Sequence, residues 1–231
     1  MSSAILRSKQ LSEPTVARLP IYQRIADEWS RRGNLHIDST TLGSLAGVQP
    51  ATVRRDLSGL GALGTRGAGY ECETLSTRIN ETLGRNHRYD IVVVGLGNLG
   101  RALINSEYFL SGGAELVGIY DIDPEVIGTE VAGLTVQSFD VDIVSAMVGV
   151  MCVPASAAQS VADRLVASGI HALLNFAPHV VAVPIGTAVR YVDFSIELQI
   201  LEYQLTNGTG PLGGGVLHTL GITPPVVTRS V

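Results

Sequence analysis

Lysine is almost missing from this chain: Lys9 is the only one, and the other cationic side chains among its 16 Lys and Arg residues are arginines. No Tyr/Lys or His/Asp pair of the kind that moves protons or hydrides stands out, which argues against an NAD-dependent oxidoreductase. Cysteine is nearly as scarce. Cys72 and Cys152 show no C-x-x-C spacing, so two buried or half-buried free thiols are expected rather than a disulfide. The histidines His36, His87, His171, His179 and His218 form no i,i+4 pair and adjoin no cysteine or carboxylate cluster. No metal centre is therefore expected. No apolar run of about 18 residues is free of charges and turn formers, which removes a membrane span. Residues 1–10 lack the apolar core and small-residue cleavage site of a secretory signal. The expected location is cytoplasmic.

What is present is a globular composition, 45% hydrophobic with a mean hydropathy of +0.29, rich in small aliphatic residues. A length of 231 residues accommodates two small domains, each with its own core. The charge is unevenly shared. Residues 1–88 carry 12 basic and 8 acidic side chains, a net +4, whereas residues 89–231 carry 4 and 13, a net −9. A basic first part joined to an acidic second part points to nucleic acid as a partner of the first; a solvated basic face has the same composition.

Residues 90–100 read Asp-Ile-Val-Val-Val-Gly-Leu-Gly-Asn-Leu-Gly, a β-branched strand running into three glycines. Leu99, Leu103 and Phe109 then recur at roughly helical spacing over 99–110, and a second apolar run, 115–120, ends on Asp121. Strand, G-x-G-x-x-G, helix, strand, acid is the order of a dinucleotide-binding βαβ unit. Gly95 permits the tight turn, Gly97 lets the backbone approach a pyrophosphate, and Gly100 lets helix and strand pack closely. Asp121 suits the hydroxyls of an adenosine ribose and repels a 2′-phosphate, favouring NAD(H) over NADP(H).

In the first part the pattern predicts a helix from Pro14 to about Arg32, started by Ser12 or Glu13 and stopped by Gly33, with Val16, Leu19, Ile25 and Trp29 inward. A short helix over 40–46, capped by Ser39, precedes the turn Gly47-Val48-Gln49. A further helix opens at Pro50 and runs to about Leu60, with Val53 and Leu57 inward and Thr52, Arg54, Arg55 and Ser58 outward. This is a helix-turn-helix pattern whose arginines can meet phosphates or guanine edges; an ordinary surface helix with its arginines paired to Asp56 or neighbouring acids has the same pattern. The glycine-rich stretch 61–70, with Thr65, Arg66 and Gly67 at its tip, reads as a β-hairpin wing. The wing makes the unit a winged helix and brings Arg66 towards a minor groove. A helix over 74–83 closes the unit.

Beyond Asp121 a helical turn ends at Gly128, a brief strand follows over 134–137, and a buried strand covers 145–153. The stretch between these two strands is too short for a full crossover helix. A helix then opens at Val153-Pro154-Ala155, a strand runs over 171–175 into Asn175-Phe176-Ala177-Pro178, another strand covers 188–192, and a last helix covers 195–204. Ligands of a doubly wound sheet lie outside the carboxyl ends of its strands, so Val153, Pro154 and Asn175 are candidates to line the site.

Taken together the chain resembles the bacterial redox-sensing transcriptional repressor family Rex. The motifs that carry the resemblance are Val16-Ala17-Arg18-Leu19-Pro20-Ile21-Tyr22, Val53-Arg54-Arg55-Asp56-Leu57-Ser58, Gly64-Thr65-Arg66-Gly67-Ala68-Gly69-Tyr70, Val94-Gly95-Leu96-Gly97-Asn98-Leu99-Gly100, Leu174-Asn175-Phe176-Ala177-Pro178 and Val192-Asp193-Phe194-Ser195-Ile196-Glu197-Leu198-Gln199. The polar, irregular start predicts a mobile tail over 1–13, and the Gly-, Pro- and Thr-rich end a flexible tail over 207–231. Between them the resemblance, which covers about residues 14–204, implies an α/β chain: a winged-helix DNA-binding domain over 14–86, a Rossmann-like NAD(H)-binding domain over 87–192 and a helix over 193–206 swapped between partners of a homodimer. It implies a repressor that releases double-stranded operator DNA when NADH binds, with NADH and NAD⁺ as the sensed ligands. Arg54, Arg55, Ser58, Thr65, Arg66 and Gly67 would meet DNA. Gly95, Leu96, Gly97, Asn98, Leu99, Gly100, Asp121, Val153, Pro154, Asn175, Phe176 and Ala177 would meet the nucleotide, with Phe194 reaching in from the partner, and Arg24 would pair with Asp193 between domains. Ser106 stands where the family usually has a tyrosine, and Gly59 and Leu60 where it has an aromatic pair. Two rival readings are an NAD-dependent oxidoreductase and a repressor sensing another nucleotide such as a CoA-like ligand.

Overall fold

The computed structural model describes residues 11–61, 64–65, 68–84, 88–106, 109–110 and 113–207. Of the expected tails over 1–13 and 207–231, residues 1–10 and 208–231 lie outside the described residues, as do the wing-tip residues Arg66 and Gly67; contrary to the expectation, Leu11 packs on the core of the first unit, Ser12 caps the first helix and Glu13 begins it. The chain divides into two compact units, one running to Gly84 and resuming at Ile196, the other ending at Ser195.

The first unit comprises α1 (Glu13–Arg31), β1 (His36–Ile37), α2 (Ser39–Ala46), α3 (Pro50–Ser58), β2 (Gly64–Thr65), β3 (Gly69–Glu71) and α4 (Cys72–Thr82). Ser12 caps α1 by accepting from the Thr15 N–H, and Pro14 occupies its first turn, where a missing N–H costs nothing. The buried face of α1 is Thr15, Arg18, Leu19, Tyr22 and Ala26. Val16, expected in the core, is 41% exposed. The helix is turned towards Arg18, which pairs with buried Asp56 of α3, and this leaves Val16 on the rim.

The cap of α2 is Asp38 and not Ser39: its carboxylate accepts from the Thr40 N–H at 2.7 Å and the Thr41 N–H at 2.9 Å. A carboxylate satisfies these free donors better than a hydroxyl and complements the helix dipole. Val53 and Leu57 of α3 are buried, as their spacing requires. The wing is present as β2 antiparallel to β3, with β1 added as a third strand. Strand β1 has no periodic signature because it is two residues long.

The second unit comprises β4 (Tyr89–Val94), α5 (Asn98–Ile104), β5 (Ala114–Asp121), β6 (Glu130–Val131), β7 (Leu134–Thr135), β8 (Gln137–Ser138), β9 (Val148–Met151), α6 (Ala155–Ala167), β10 (Ala172–Asn175) and β11 (Ala188–Tyr191). Six of these strands form one parallel sheet in the order β11-β10-β9-β4-β5-β8. The order reverses between β4 and β9, the switch point of a doubly wound sheet, where a crevice opens at the carboxyl ends. Helix α5 stops at Ile104 rather than near Leu110; Phe109 packs on the core from beyond the helix, so its helical spacing from Leu103 is coincidental. No helix joins β8 to β9, in keeping with the short connection. Val92, Val94, Met151 and Leu173 pack with Leu165 of α6, while Val93, Ile119 and Val150 pack with Leu96 and Ile104, the alternation of a two-sided sheet.

The last helix, α7 (Phe194–Thr206), has no buried residue. Phe194, Ile196, Leu198, Leu201, Tyr203 and Leu205 are each at least half exposed. Among the described residues no helix is long and apolar enough to cross a membrane, and no group of three His, Cys, Asp or Glu side chains could hold a metal ion. Both cysteines are free, Cys72 buried and Cys152 partly so.

Candidate functional site

A cavity of about 610 Å³ opens at the carboxyl ends of β4, β5 and β9, within the size range of small-molecule sites. Its floor is the loop from Gly95 to Leu99 with Arg101; one wall is Asp121, Ile122, Asp123 and Val126; the other is Cys152, Val153, Pro154, Ala157 and Val161, with Phe139 at one end. The three glycines answer to different constraints. Gly95 has φ +94°, and a Cβ there would lie 2.4 Å from the Cys152 carbonyl oxygen. A Cβ at Gly100 would lie 2.1 Å from the Gly95 carbonyl oxygen. Gly97 has nothing within 4 Å of its missing Cβ, so it keeps open a place where backbone can meet a ligand.

Asp121 acts on the loop itself. One carboxylate oxygen accepts from the Leu96 N–H at 2.5 Å, and the other from the N–H groups of Ile122 and Asp123 at 2.7 and 2.9 Å. The acid therefore ties β5 to the glycine turn and still faces the cavity. Arg164 of α6 stacks over the Phe139 ring at 5.0 Å and donates to the Val141 carbonyl at 2.9 Å, fixing the end wall. Burial pushes the Cys152 thiol up to about 12, which makes it an apolar lining group and not a nucleophile.

Of the residues expected at the nucleotide, this cavity brings together Gly95, Leu96, Gly97, Asn98, Leu99, Asp121, Val153 and Pro154. It does not include Gly100, Asn175, Phe176, Ala177 or Phe194. Asn175 is fully buried, donating to the His179 carbonyl and accepting from the Ala177 N–H, both at 2.9 Å; it shapes the turn that carries Phe176. Ala177 is buried in the core. Phe176 and Phe194 form a tilted pair within the one chain, ring centroids 6.4 Å apart, inside the range of favourable aromatic contacts. Arg101, Ile122, Asp123, Val126, Phe139, Cys152, Ala157 and Val161 are lining residues that the motif reading did not name. Only Arg101 and Asp123, beside the fingerprint, carried a local signal.

On the winged helix, Arg54 and Arg55 are exposed on α3, with Ser58 one turn on. Arg54 donates to the Ser39 hydroxyl at 2.9 Å, and the Ser58 hydroxyl donates to the Arg55 carbonyl at 2.7 Å. Thr65 is exposed on β2. A cleft lined by Asp38, Ser39, Arg54, Thr65 and Tyr70 separates α3 from the wing. The alternative pairing of these arginines with Asp56 does not occur, since Asp56 is buried against Arg18, Thr15 and Tyr22. Arg24 lies exposed on α1; in the other unit, Asp193 accepts from the Ser195 N–H at 2.9 Å and from its hydroxyl at 2.6 Å.

Two family models cover the chain in series: "Putative DNA-binding protein N-terminus" over residues 10–58 and "CoA binding domain" over residues 86–179. The redox-sensing transcriptional repressor Rex of Streptomyces avermitilis is 46% identical over 202 residues, 85% of this chain and 80% of that protein. That of Rhodopirellula baltica is 39% identical over 207 residues, 87% of each. The chain belongs to the Rex family.

The crystal structure of RSP, a Rex-family repressor, in complex with β-NAD⁺ and operator DNA superposes with a TM-score of 0.77 at 32% identity, covering 86% of this chain and 94% of RSP. RSP in complex with β-NADH gives the same TM-score at 31% identity, covering 86% and 95%. Rex architecture, a DNA-binding unit followed by a Rossmann-like unit, thus accounts for both halves of the fold.

Proposed function

We propose that this Rex-family protein is a DNA-binding transcriptional repressor that senses the NADH/NAD⁺ ratio and releases operator DNA when NADH binds. The observation that carries the reading is the pairing of an arginine-bearing winged helix with a glycine-floored cavity at the switch point of a parallel sheet. The residues fit a dinucleotide: Gly97 leaves its Cβ position open, Asp121 offers a carboxylate at the ribose position, and Val153 and Pro154 line the opposite wall. The reduced and oxidised ligands differ by one hydride and one ring charge. Phe176 and Phe194 offer an apolar neighbourhood in which a charged ring is the costlier guest. A near-complete switch requires NADH to prefer the DNA-free state by about 5 kcal/mol.

The protein acts as a sensor and not as an enzyme, in the cytoplasm. It works as a homodimer in which α7 crosses to the partner. Two open apolar surfaces support this: α7, and a groove of about 490 Å³ on the sheet that includes Ile91, Val148, Ala172, Leu174 and Ala188. Arg54, Arg55, Ser58, Thr65, Arg66 and Gly67 contact DNA. Gly100, Asn175, Phe176, Ala177 and Phe194 complete or shape the nucleotide site, and Arg24 and Asp193 take part in the switch.

The test takes a duplex selected by the purified protein from a random pool and titrates it at fixed salt, because phosphate contacts make affinity fall steeply with ionic strength. NADH releases the duplex at concentrations where NAD⁺ does not. If neither nucleotide alters DNA affinity, the sensor reading fails. The match to a CoA binding domain supports a second reading, in which a CoA-like nucleotide is the ligand; release by CoA and not by NADH would establish it.

A further inference from the structure

A polar cluster buried in the first unit is used neither by the nucleotide cavity nor by the exposed arginines. Asp56 is 2% exposed and sits on α3 between Arg55 and Leu57. Among the described residues its side-chain donors, Thr15, Arg18 and Tyr22, all belong to α1. Arg18 Nε donates to one carboxylate oxygen at 2.7 Å and Arg18 Nη2 to the other at 2.8 Å, while the Thr15 hydroxyl and the Tyr22 hydroxyl each donate at 2.9 Å. Burial pushes the Asp56 carboxyl up, but hydrogen bonds from Arg18, Tyr22 and Thr15 outweigh it and hold it below the usual carboxylate range.

We infer that the Arg18–Asp56 fork is a positioning device for DNA recognition: it fixes the rotation of α3 about its own axis, and so the aim of Arg54 and Ser58. The inference rests on the DNA-binding reading above. At about 100° per residue, Arg54 and Ser58, each two positions from Asp56, project to the side of α3 opposite the fork. The apolar contacts of Val53 and Leu57 hold the helix against the core without directional preference. A fork bonded to both oxygens of one carboxylate does have a direction. A turn of roughly 25° sweeps groups at the helix rim, about 6 Å from the axis, through about 2.5 Å, enough to make or break a base contact. An apolar set of similar volume can match a buried ion pair in stability, so stability alone does not account for the fork.

The test measures the ratio of affinity for the selected duplex to that for a scrambled duplex, on the full chain at fixed salt. Arg18→Lys keeps charge and burial but replaces the two-point fork by a point contact. The expected result is a folded protein whose ratio falls about tenfold, the scale of one lost base contact, with scrambled-duplex affinity nearly unchanged. The triple variant Arg18→Met, Tyr22→Phe, Asp56→Leu removes the polar cluster while leaving Thr15 its bond to Ser12. It is expected to melt no lower than the parent and to show the same loss of ratio. An unchanged ratio in either folded variant overturns the inference, as does an equal loss of affinity for both duplexes. A parent that selects no duplex overturns the DNA-binding reading instead.

Discussion

In the winged-helix unit the binding helix is held through side chains: Thr15, Arg18 and Tyr22 of α1 converge on one carboxylate of α3. In the Rossmann-like unit the binding loop is held through backbone: Gly95 and Gly100 allow main-chain approaches in which a Cβ would lie 2.4 and 2.1 Å from carbonyl oxygens. A side-chain fork is directional and titratable, and an apolar set can match its stability but not its direction. A backbone approach has no titrating group and tolerates no added atom. The difference suits the two ligands, since DNA contacts depend on the aim of exposed side chains, whereas a pyrophosphate is met by main chain.

The largest effect is expected from removing one partner of the fork. Asp56→Ala breaks the buried Arg18–Asp56 pair by removing its acceptor and costs about 3–5 kcal/mol. The single tryptophan, Trp29, packs against the core of the first unit, so its fluorescence during denaturant unfolding reports on that unit. An unmoved Trp29 transition would sink the account. Next in size, Gly95→Ala combines strain at φ +94° with a clash against backbone, on the order of 3 kcal/mol. Its loss should appear in the far-ultraviolet transition of the second unit, at every pH, with the Trp29 transition in place.

Gly97→Ala sharpens the contrast within one loop. It meets nothing in the protein and should leave stability unchanged or raised by about 0.5 kcal/mol. Its methyl group stands where backbone meets the ligand, so NADH affinity measured by calorimetry should fall by roughly tenfold or more; a variant that binds NADH as the parent does would place the ligand elsewhere. A smaller effect comes from acid. Because the folded Asp56 carboxyl titrates below its ordinary value of 3.8, its contribution is fully present above that value and fades as pH falls through the depressed one. The Trp29 midpoint should decline in that window in the parent and lose this component in the triple apolar variant. The smallest effect is chemical: with its thiol pushed up to about 12, Cys152 should resist maleimide at neutral pH in the folded protein, and rapid labelling would mean that the wall of the cavity opens.

Much of the fold and of the site is legible in the sequence. The strand and glycine turn at residues 90–100, the acid at 121, the helix pair around Gly47 and the glycine-rich wing declare themselves because each rests on local backbone preference or on a repeat of apolar positions. The misses have a common cause. The spacing of Val16 predicts a core position, but the buried Arg18–Asp56 pair turns α1 past it. Ser39 was the nearer hydroxyl, but Asp38 offered a carboxylate to the same donors. Helix α5 was extended to Leu110 by Phe109, which reaches the core from a loop. Phe139 and Arg164 belong to segments with no motif and meet only because the sheet folds them together. Arg18 and Asp56 did leave a trace: each is a charged residue at core spacing, which demands a buried partner without naming it.

By itself, then, the order of residues determined the family, the two-part plan and the glycine loop, because these depend on φ preferences and periodicity within a few turns of chain. Only the tertiary structure decided that Asp121 ties the loop to β5 as well as facing the cavity, that Asn175 builds a turn within the core, and that Asp56 belongs to Arg18. Those assignments depend on which buried polar groups find one another across the chain, and a buried donor or acceptor takes whichever partner the packing brings within about 3 Å.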